Sequence, residues 1–236
     1  RKISNTAPLG DGATEWKPGA EVQTDEQILR DCERVITRFH QRGAGAMVQI
    51  ALAPCSPFSV TSELMRQTAA LAKQRGVMLH THLAETFDEN AFCLQMFGLR
   101  PLDYLESVDW LHERTWLAHG IHFNDAEIQR MGAARIGVSH CPSSNMVLAS
   151  GIARTKEMEA AGVKVGLGVD GSASNDGSNL IQEVRQALLI GRLRYQADEV
   201  SHLDALRWAT KGSAQVLNRD DIGELAVGKQ ADLALF

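Results

Sequence analysis

No run of apolar residues approaches the roughly 18 needed to cross a bilayer, so a helical membrane span is not expected. Nor does the opening Arg1-Lys2-Ile3-Ser4-Asn5 lead into an apolar segment resembling a secretory signal. Only four cysteines occur, Cys32, Cys55, Cys93 and Cys141, with neither a C-x-x-C pair nor disulfide-like spacing. That pattern implies a reducing, cytoplasmic setting. Basic stripes are missing too: the formal charge of −5 argues against nucleic acid as a partner. Internal repeats and low-complexity segments are absent. What remains is ordinary globular chemistry, with 44% hydrophobic and 22% charged residues in 236, enough for one sizeable core.

The order of patterns is strand, helix, strand, helix. Arg1–Gln23 is irregular, and Thr24 with Gln27 forms a capping box ahead of helical apolar spacing. Met47–Ala53 reads as a strand buried on both faces, Ser62–Arg75 as a helix closed by Gly76, and Val77–Leu83 as the next strand. Further helices are expected at Glu85–Phe97, Pro101–Val108, Asp125–Met131, Thr155–Ala161, Leu180–Tyr195 and His202–Leu217. Further strands are expected from Thr115, Arg135 and Val163, a loop at Ser143–Gly151, and turns with short strands from Ile222 onward. One strand per unit with crossover helices makes a parallel α/β sheet. Either a five-stranded open sheet or the last five strands of a closed eight-stranded barrel would satisfy it.

The stretch around which the chain is organised is V-M-L-H-T-H-L-A-E-T at Val77–Thr86. In a strand His80 and His82 share one face, and Glu85 falls where the strand yields to its loop. One imidazole there can hold a metal with a carboxylate in reach, although packed or solvated histidines would leave the same pattern. The other candidates decide the matter, because Cys55, His119, His140 and Asp170 also stand at strand C-termini, where α/β proteins bind ligands. His40, His112, His122 and His202 read as solvated or local hydrogen-bonding groups.

The ordered set T-H-L-A-E (His82, Glu85), W-L-A-H-G (His119) and G-V-D-G (Asp170) resembles the amidohydrolase superfamily of metal-dependent hydrolases, especially its deaminase and triazine-hydrolase branch. H-C-P-S-S-N from His140, G-V-D-G-S-A-S-N from Gly168 and the tail I-G-E-L-A-V-G-K-Q-A-D-L from Ile222 are similar to that branch as well. Together with A-P-C-S-P-F at Ala53–Phe58, the closest likeness is to 8-oxoguanine deaminases. The resemblance implies a TIM-like (β/α)8 barrel, here strands four to eight over residues 1–220, with 221–236 beginning a small β domain. It implies His82 and Asp170 as ligands of Zn²⁺ or another divalent ion such as Fe²⁺. Glu85 becomes the proton shuttle, also touching the substrate, and Asp170 accepts the proton of the attacking water. His119 orients hydroxide or completes a second metal position, while His80 packs or supports.

Substrate contacts are expected from Cys55, His140 and Ser174, with Asn175 beside them. Cysteine in place of the histidine usual among adenosine-type relatives suits a bare purine; an inert buried thiol is the alternative. The expected reaction is hydrolysis of 8-oxoguanine to urate and ammonia, with a triazine or S-adenosylhomocysteine-type aminohydrolase, or a non-catalytic barrel, as alternatives. Partners would be a small heterocycle and water, with neither nucleic acid nor membrane, in a homo-oligomer by analogy. The family's first strand carries a His-x-His pair of ligands, and no residues here correspond to it. His80-x-His82 cannot substitute, since a strand-five histidine and glutamate would then be missing downstream. A piece of the enzyme is therefore expected, with an unpaired sheet edge and exposed apolar surface.

Overall fold

The computed structural model describes residues 23–235. The irregular segment expected at Arg1–Gln23 lies almost wholly outside them. Helix α1 (Asp25–Phe39) opens with the expected capping box, Gln27 N–H donating to Thr24 Oγ1 at 3.3 Å and Thr24 N–H to Gln27 Oε1 at 2.9 Å. It ends on His40. Strand β1 is only Ala51–Leu52, and the double burial expected of Met47–Ala53 is not found: Met47 is 87% exposed. β1 pairs only with β2 among the described residues, so its apolar run lacks a second neighbour.

Helix α2 (Ser62–Arg75) runs as expected between the Thr61 cap and Gly76, whose φ of +67° suits the left-handed closing position. Strand β2 (Met78–Leu83) follows, then α3 (Phe87–Phe97) and α4 (Pro101–Ser107). The sequence continues through β3 (Thr115–His119), α5 (Asp125–Ala133) and β4 (Gly137–His140). Next come α6 (Pro142–Val147), α7 (Thr155–Ala161), β5 (Lys164–Leu167) and α8 (Leu180–Arg194).

Helix α6 replaces the start of the loop expected at Ser143–Gly151; Pro142 at its first turn has the φ a helix start needs and no N–H to lose. The single helix expected at His202–Leu217 is interrupted. α9 (His202–Arg207) passes through a π-helical turn, Trp208–Gly212, into α10 (Ser213–Val216). The turn seats Gly212 against β5, where a Cβ would stand 2.2 Å from the Val165 carbonyl oxygen. Short strands expected after Ile222 are not formed among the described residues; turns occupy that stretch.

All five strands are parallel, in the order β1-β2-β3-β4-β5. Each right-handed crossover steps the same way, so the helices collect on one face and the sheet never reverses. That is the winding of a barrel, and it excludes the doubly wound open sheet, whose order must reverse at a switch point. The face toward the helices is sealed: Leu79, Thr81, Leu83 and Leu117 of the strands are buried with Met65 and Ala72 of α2. Trp110 is wholly buried there, its indole N–H donating to the Met65 carbonyl at 2.9 Å. On the outside, Phe87 of α3 and Leu193 of α8 stand 75% and 82% exposed.

Trp110→Ala removes a buried ring and the indole bond to the Met65 carbonyl. It should lower stability by about 3–5 kcal/mol, read from urea unfolding followed by circular dichroism. A loss under about 1 kcal/mol would mean that Trp110 is not a core anchor.

Candidate active site

The parallel register aligns the strand ends. His80 pairs with Trp116, His82 with Ala118 and Leu83 with His119. His80 and His82 therefore share the face opposite the helices with Trp116 and Ala118. By the same alternation His119 should follow Leu83 and Leu117 toward the helices. Its ring instead stacks on His82, with centroids 5.4 Å apart. The cause is local: His119 has φ +70°, a left-handed conformation that swings the side chain back to the mouth of the sheet. Ala84 (φ +52°), just before Glu85, and Asp170 (φ +62°), beyond β5, do the same. Such backbone costs about 1–3 kcal/mol per residue. Three strand ends accept that cost, and beyond them Glu85, His119 and Asp170 meet at one point.

There, one ligand atom each from His82, His119 and Asp170 lie within 4.8 Å of one another. His119 Nε2 is 3.5 Å from Glu85 Oε2 and 3.8 Å from Asp170 Oδ2. His82 Nδ1 donates to the Cys55 carbonyl at 2.6 Å, and its Nε2 is left free to act as a ligand, the usual support of a metal-binding histidine. Asp170 is held by Ser144 Oγ (2.5 Å), Ser174 Oγ (3.4 Å) and the Gly171 N–H (2.7 Å). Imidazole and carboxylate with such support fit a Zn²⁺-class cation. His82 has a free Nε2 for it, the Asp170 carboxylate retains lone pairs beside its hydrogen bonds, and His119 is near enough to be a third.

Electrostatics divide the histidines. The Cys55 thiol, aided by the Cys55 carbonyl and Asp170, raises His82 to about 9 against the opposing effect of burial. At 3.9 Å the Cys55 Sγ is at the outer limit for a bond to Nδ1, and the Cys55 carbonyl at 2.6 Å makes the shorter contact. Hydrogen bonding to His82 in turn draws the Cys55 thiol below its ordinary value. Burial lowers His119 and His80 to about 4, keeping both rings neutral. Burial also raises Glu85 above the usual carboxylate range, with Asp170 adding to the effect. Asp170 is pushed up by burial, yet Ser144, the Gly171 N–H and the two histidines bring it below its ordinary value.

His82, Glu85, His119 and Asp170 thus come together as expected. His80 stacks on Trp116 (4.6 Å) and bonds its carbonyl (3.1 Å), a packing position. Cys55 is exposed, so it is not an inert buried thiol, and it reaches the cluster mainly through its carbonyl. Ser174 is buried and turned to Asp170 and Ser144, and Asn175 donates to the Val169 carbonyl and the buried Glu183. His140 stands on the helix-facing side of β4, wholly buried, with Nδ1 unpartnered among the described residues.

Sequence reading missed the supports: Ser144 on Asp170, Asn145 on His119, Ser150 on Glu85 (3.4 Å), and Glu89, which accepts the Glu85 N–H at 2.8 Å. Pro142 at a helix start was the available signal for the first two, since it places the polar run Ser143-Ser144-Asn145 on a helix at a strand end.

A parallel sheet in chain order, with acid and imidazole groups at its C-terminal strand ends, is arranged like the ligand-binding mouth of a (β/α) barrel. The amidohydrolase family model matches residues 12–236, and the chain belongs to that family. It is 65% identical to the 8-oxoguanine deaminase of Pseudomonas aeruginosa, over 97% of this chain and 51% of that protein. It is 42% identical to the hydroxydechloroatrazine ethylaminohydrolase of Pseudomonas sp. strain ADP, over 96% and 47%. Among solved structures, the atrazine chlorohydrolase of Arthrobacter aurescens complexed with zinc superposes with a TM-score of 0.87 at 32% identity, covering 96% of this chain and 50% of that one. The chain spans about half the length of the curated relatives it matches.

Because His82 keeps its proton until about pH 9, a cation binding its nitrogen at neutral pH must expel that proton. Zinc affinity should rise about tenfold per pH unit from 7 to 9 and then level off, with about one proton released per ion at pH 7.5. Titration calorimetry in buffers of different ionisation enthalpy reads both. Zinc uptake without proton release would remove His82 from the ligand set. In the metal-free protein the raised value has the opposite sense: its stabilisation is full below about pH 6.5 and lost as pH rises through about 9.

Proposed function

We propose that the protein is a metal-dependent hydrolytic deaminase of an aminated heterocycle, converting 8-oxoguanine and water to urate and ammonia. The observation that carries this reading is the convergence of His82, His119, Asp170 and the raised-pKa Glu85 at one strand-end mouth. The 65% identity to an 8-oxoguanine deaminase supports the substrate. The reaction breaks the bond from the ring carbon to the exocyclic amine and forms a C–O bond from water at the same carbon.

His82 and Asp170 would hold a Zn²⁺-class cation, which would supply Lewis-acid activation of water. Asp170, held ionised by Ser144 and Gly171, accepts the proton that the attacking water gives up. Glu85, whose burial favours its protonated form, delivers a proton to the ring nitrogen and then serves the departing ammonia. His119 orients the attacking oxygen. Exposed Cys55 is the residue expected to face the heterocycle, Ser174 supports Asp170 instead of touching substrate, and His140, buried on the helix-facing side, drops out of the substrate contacts. The proposal extends to a cytoplasmic homo-oligomer whose partners are the heterocycle and water, without nucleic acid or membrane. Among the described residues no helix is long and apolar enough to cross a membrane. It also divides the chain into a barrel part, 1–220, and the start of a small β domain, 221–236.

Ammonia release should be faster with 8-oxoguanine than with guanine, a hydroxytriazine or S-adenosylhomocysteine. Equal or greater rates with any of those would sink the substrate assignment. Glu85→Gln should retain zinc while turnover falls by about 10²–10⁴, the range for a lost general acid–base group. Asp170→Asn should lose zinc and turnover together. A fully active Glu85→Gln would remove the shuttle role.

A further inference from the structure

Helix α3 begins just beyond the strand end that carries Glu85, and its cap is displaced by one residue. In α1, α5 and α9 the third helical residue turns back to the N–H of the capping residue: Gln27 to Thr24, Glu127 to Asn124 and Asp204 to Ser201. The same position in α3 is Glu89, and the capping residue there, Thr86, makes no side-chain cap bond. Glu89 reaches one residue further back, where its Oε2 accepts the N–H of Glu85 at 2.8 Å.

Glu89 is 3% exposed, and its Oε1 is buried without a partner among the described residues. Burial raises it to about 7, against hydrogen bonding from the Ala84 and Glu85 backbones, with the Glu85 charge adding to the rise. Glu85 and His82 face it from the end of β2, and Cys93 lies one turn along α3. A buried carboxyl with an unmet oxygen is a costly way to begin a helix, because Ser, Thr or Asn can cap without burying a charge.

The contact falls where Glu85 is otherwise loosely held. Among the described residues the Glu85 side chain has one hydrogen bond, from Ser150 Oγ at 3.4 Å. The backbone is gripped more firmly. The Ala84 carbonyl accepts from the Ile121 and His122 N–H groups at 2.8 and 3.0 Å, and Glu89 takes the next N–H along the chain. Ala84, at φ +52°, lies between these contacts in a conformation that only its surround maintains.

We propose that Glu89 is a positioning residue for the proton shuttle, its Oε2 fixing the Glu85 backbone so that the Glu85 carboxyl meets the substrate's ring nitrogen. This rests on the reading above in which Glu85 moves the proton. The clamp needs reach rather than charge, because a carboxylate, a carboxylic acid and an amide all offer an oxygen to the N–H.

Two variants of the zinc-loaded protein separate reach from charge, with ammonia release from 8-oxoguanine giving kcat and hydrogen–deuterium exchange reporting the Glu85 amide. Glu89→Gln, the conservative replacement, should preserve kcat and a protected Glu85 amide. Glu89→Asp keeps the charge but is one methylene short. It should lower kcat by about 10²-fold, the cost of misplacing a reacting group by about 1 Å, and unprotect the Glu85 amide while zinc stays bound. Combined with Glu85→Gln, Glu89→Asp should cost little more, since it acts through Glu85, whereas a merely structural loss would add in full. The proposal is overturned by a slow Glu89→Gln, by a folded Glu89→Asp with undiminished kcat, or by additive losses in the double variant. If Glu89→Asp does not fold, Glu89→Gln still decides, because lost turnover or an unprotected Glu85 amide there overturns the clamp. If Glu85→Gln is fully active, the shuttle reading fails, while exchange of the Glu85 amide independently judges Glu89.

Discussion

Five strands hydrogen-bonded in parallel and in chain order bring all their C-terminal ends to one side, and everything chemical in this protein depends on that ladder. The pairing of Leu83 with His119 and of His140 with Leu167 fixes how far each strand end projects. A register slip of one residue would exchange the two faces of a strand and send His82 toward the helices. The sealed side, built from Leu79, Leu83, Leu117 and the helices behind them, opposes such a slip because each of these side chains is fully buried.

Onto that frame the mouth adds local conformations that regular strands would not supply. Ala84, His119 and Asp170 each leave the ladder in the left-handed region, and only a surround that over-determines them keeps them there. The surround is visible. The Ala84 carbonyl accepts from the backbone of both Ile121 and His122, and the Glu85 N–H is taken by buried Glu89. Asn145 meets His119, and Ser144 with Ser174 meets Asp170. Glu183 joins the last two loops by accepting from the Ser143 backbone at 3.0 Å and from Asn175 at 2.9 Å.

The same frame explains how neighbouring histidines diverge. His80 and His82 lie on one face of one strand, yet burial drives the first to about 4 and the Cys55 contact drives the second to about 9. His80 spends its Nδ1 on the Trp116 carbonyl and its ring on the Trp116 indole, deep on the sheet. His82, two residues nearer the mouth, has a free edge and carboxylates in reach. Position along the strand, rather than residue type, separates packing from chemistry.

The alternation and spacing of residues were enough to read the parallel α/β class, helices such as α2 and α7, and the candidates His82, Glu85, His119 and Asp170, because strand period, caps and strand-end placement are local properties. Local patterns could not show that β1 is a two-residue edge, that Pro142 begins a helix, or that Gly212 forces a π-helical turn against Val165. Those depend on which neighbour is present and how closely it approaches. Nor could they show that His119 turns against its own strand alternation, or that Asn145 and Ser144 stand behind it and Asp170. The residue types came from the sequence by itself; the aim of each side chain was decided by the tertiary structure, since a hydrogen bond across 26 residues exists only once the strands have paired.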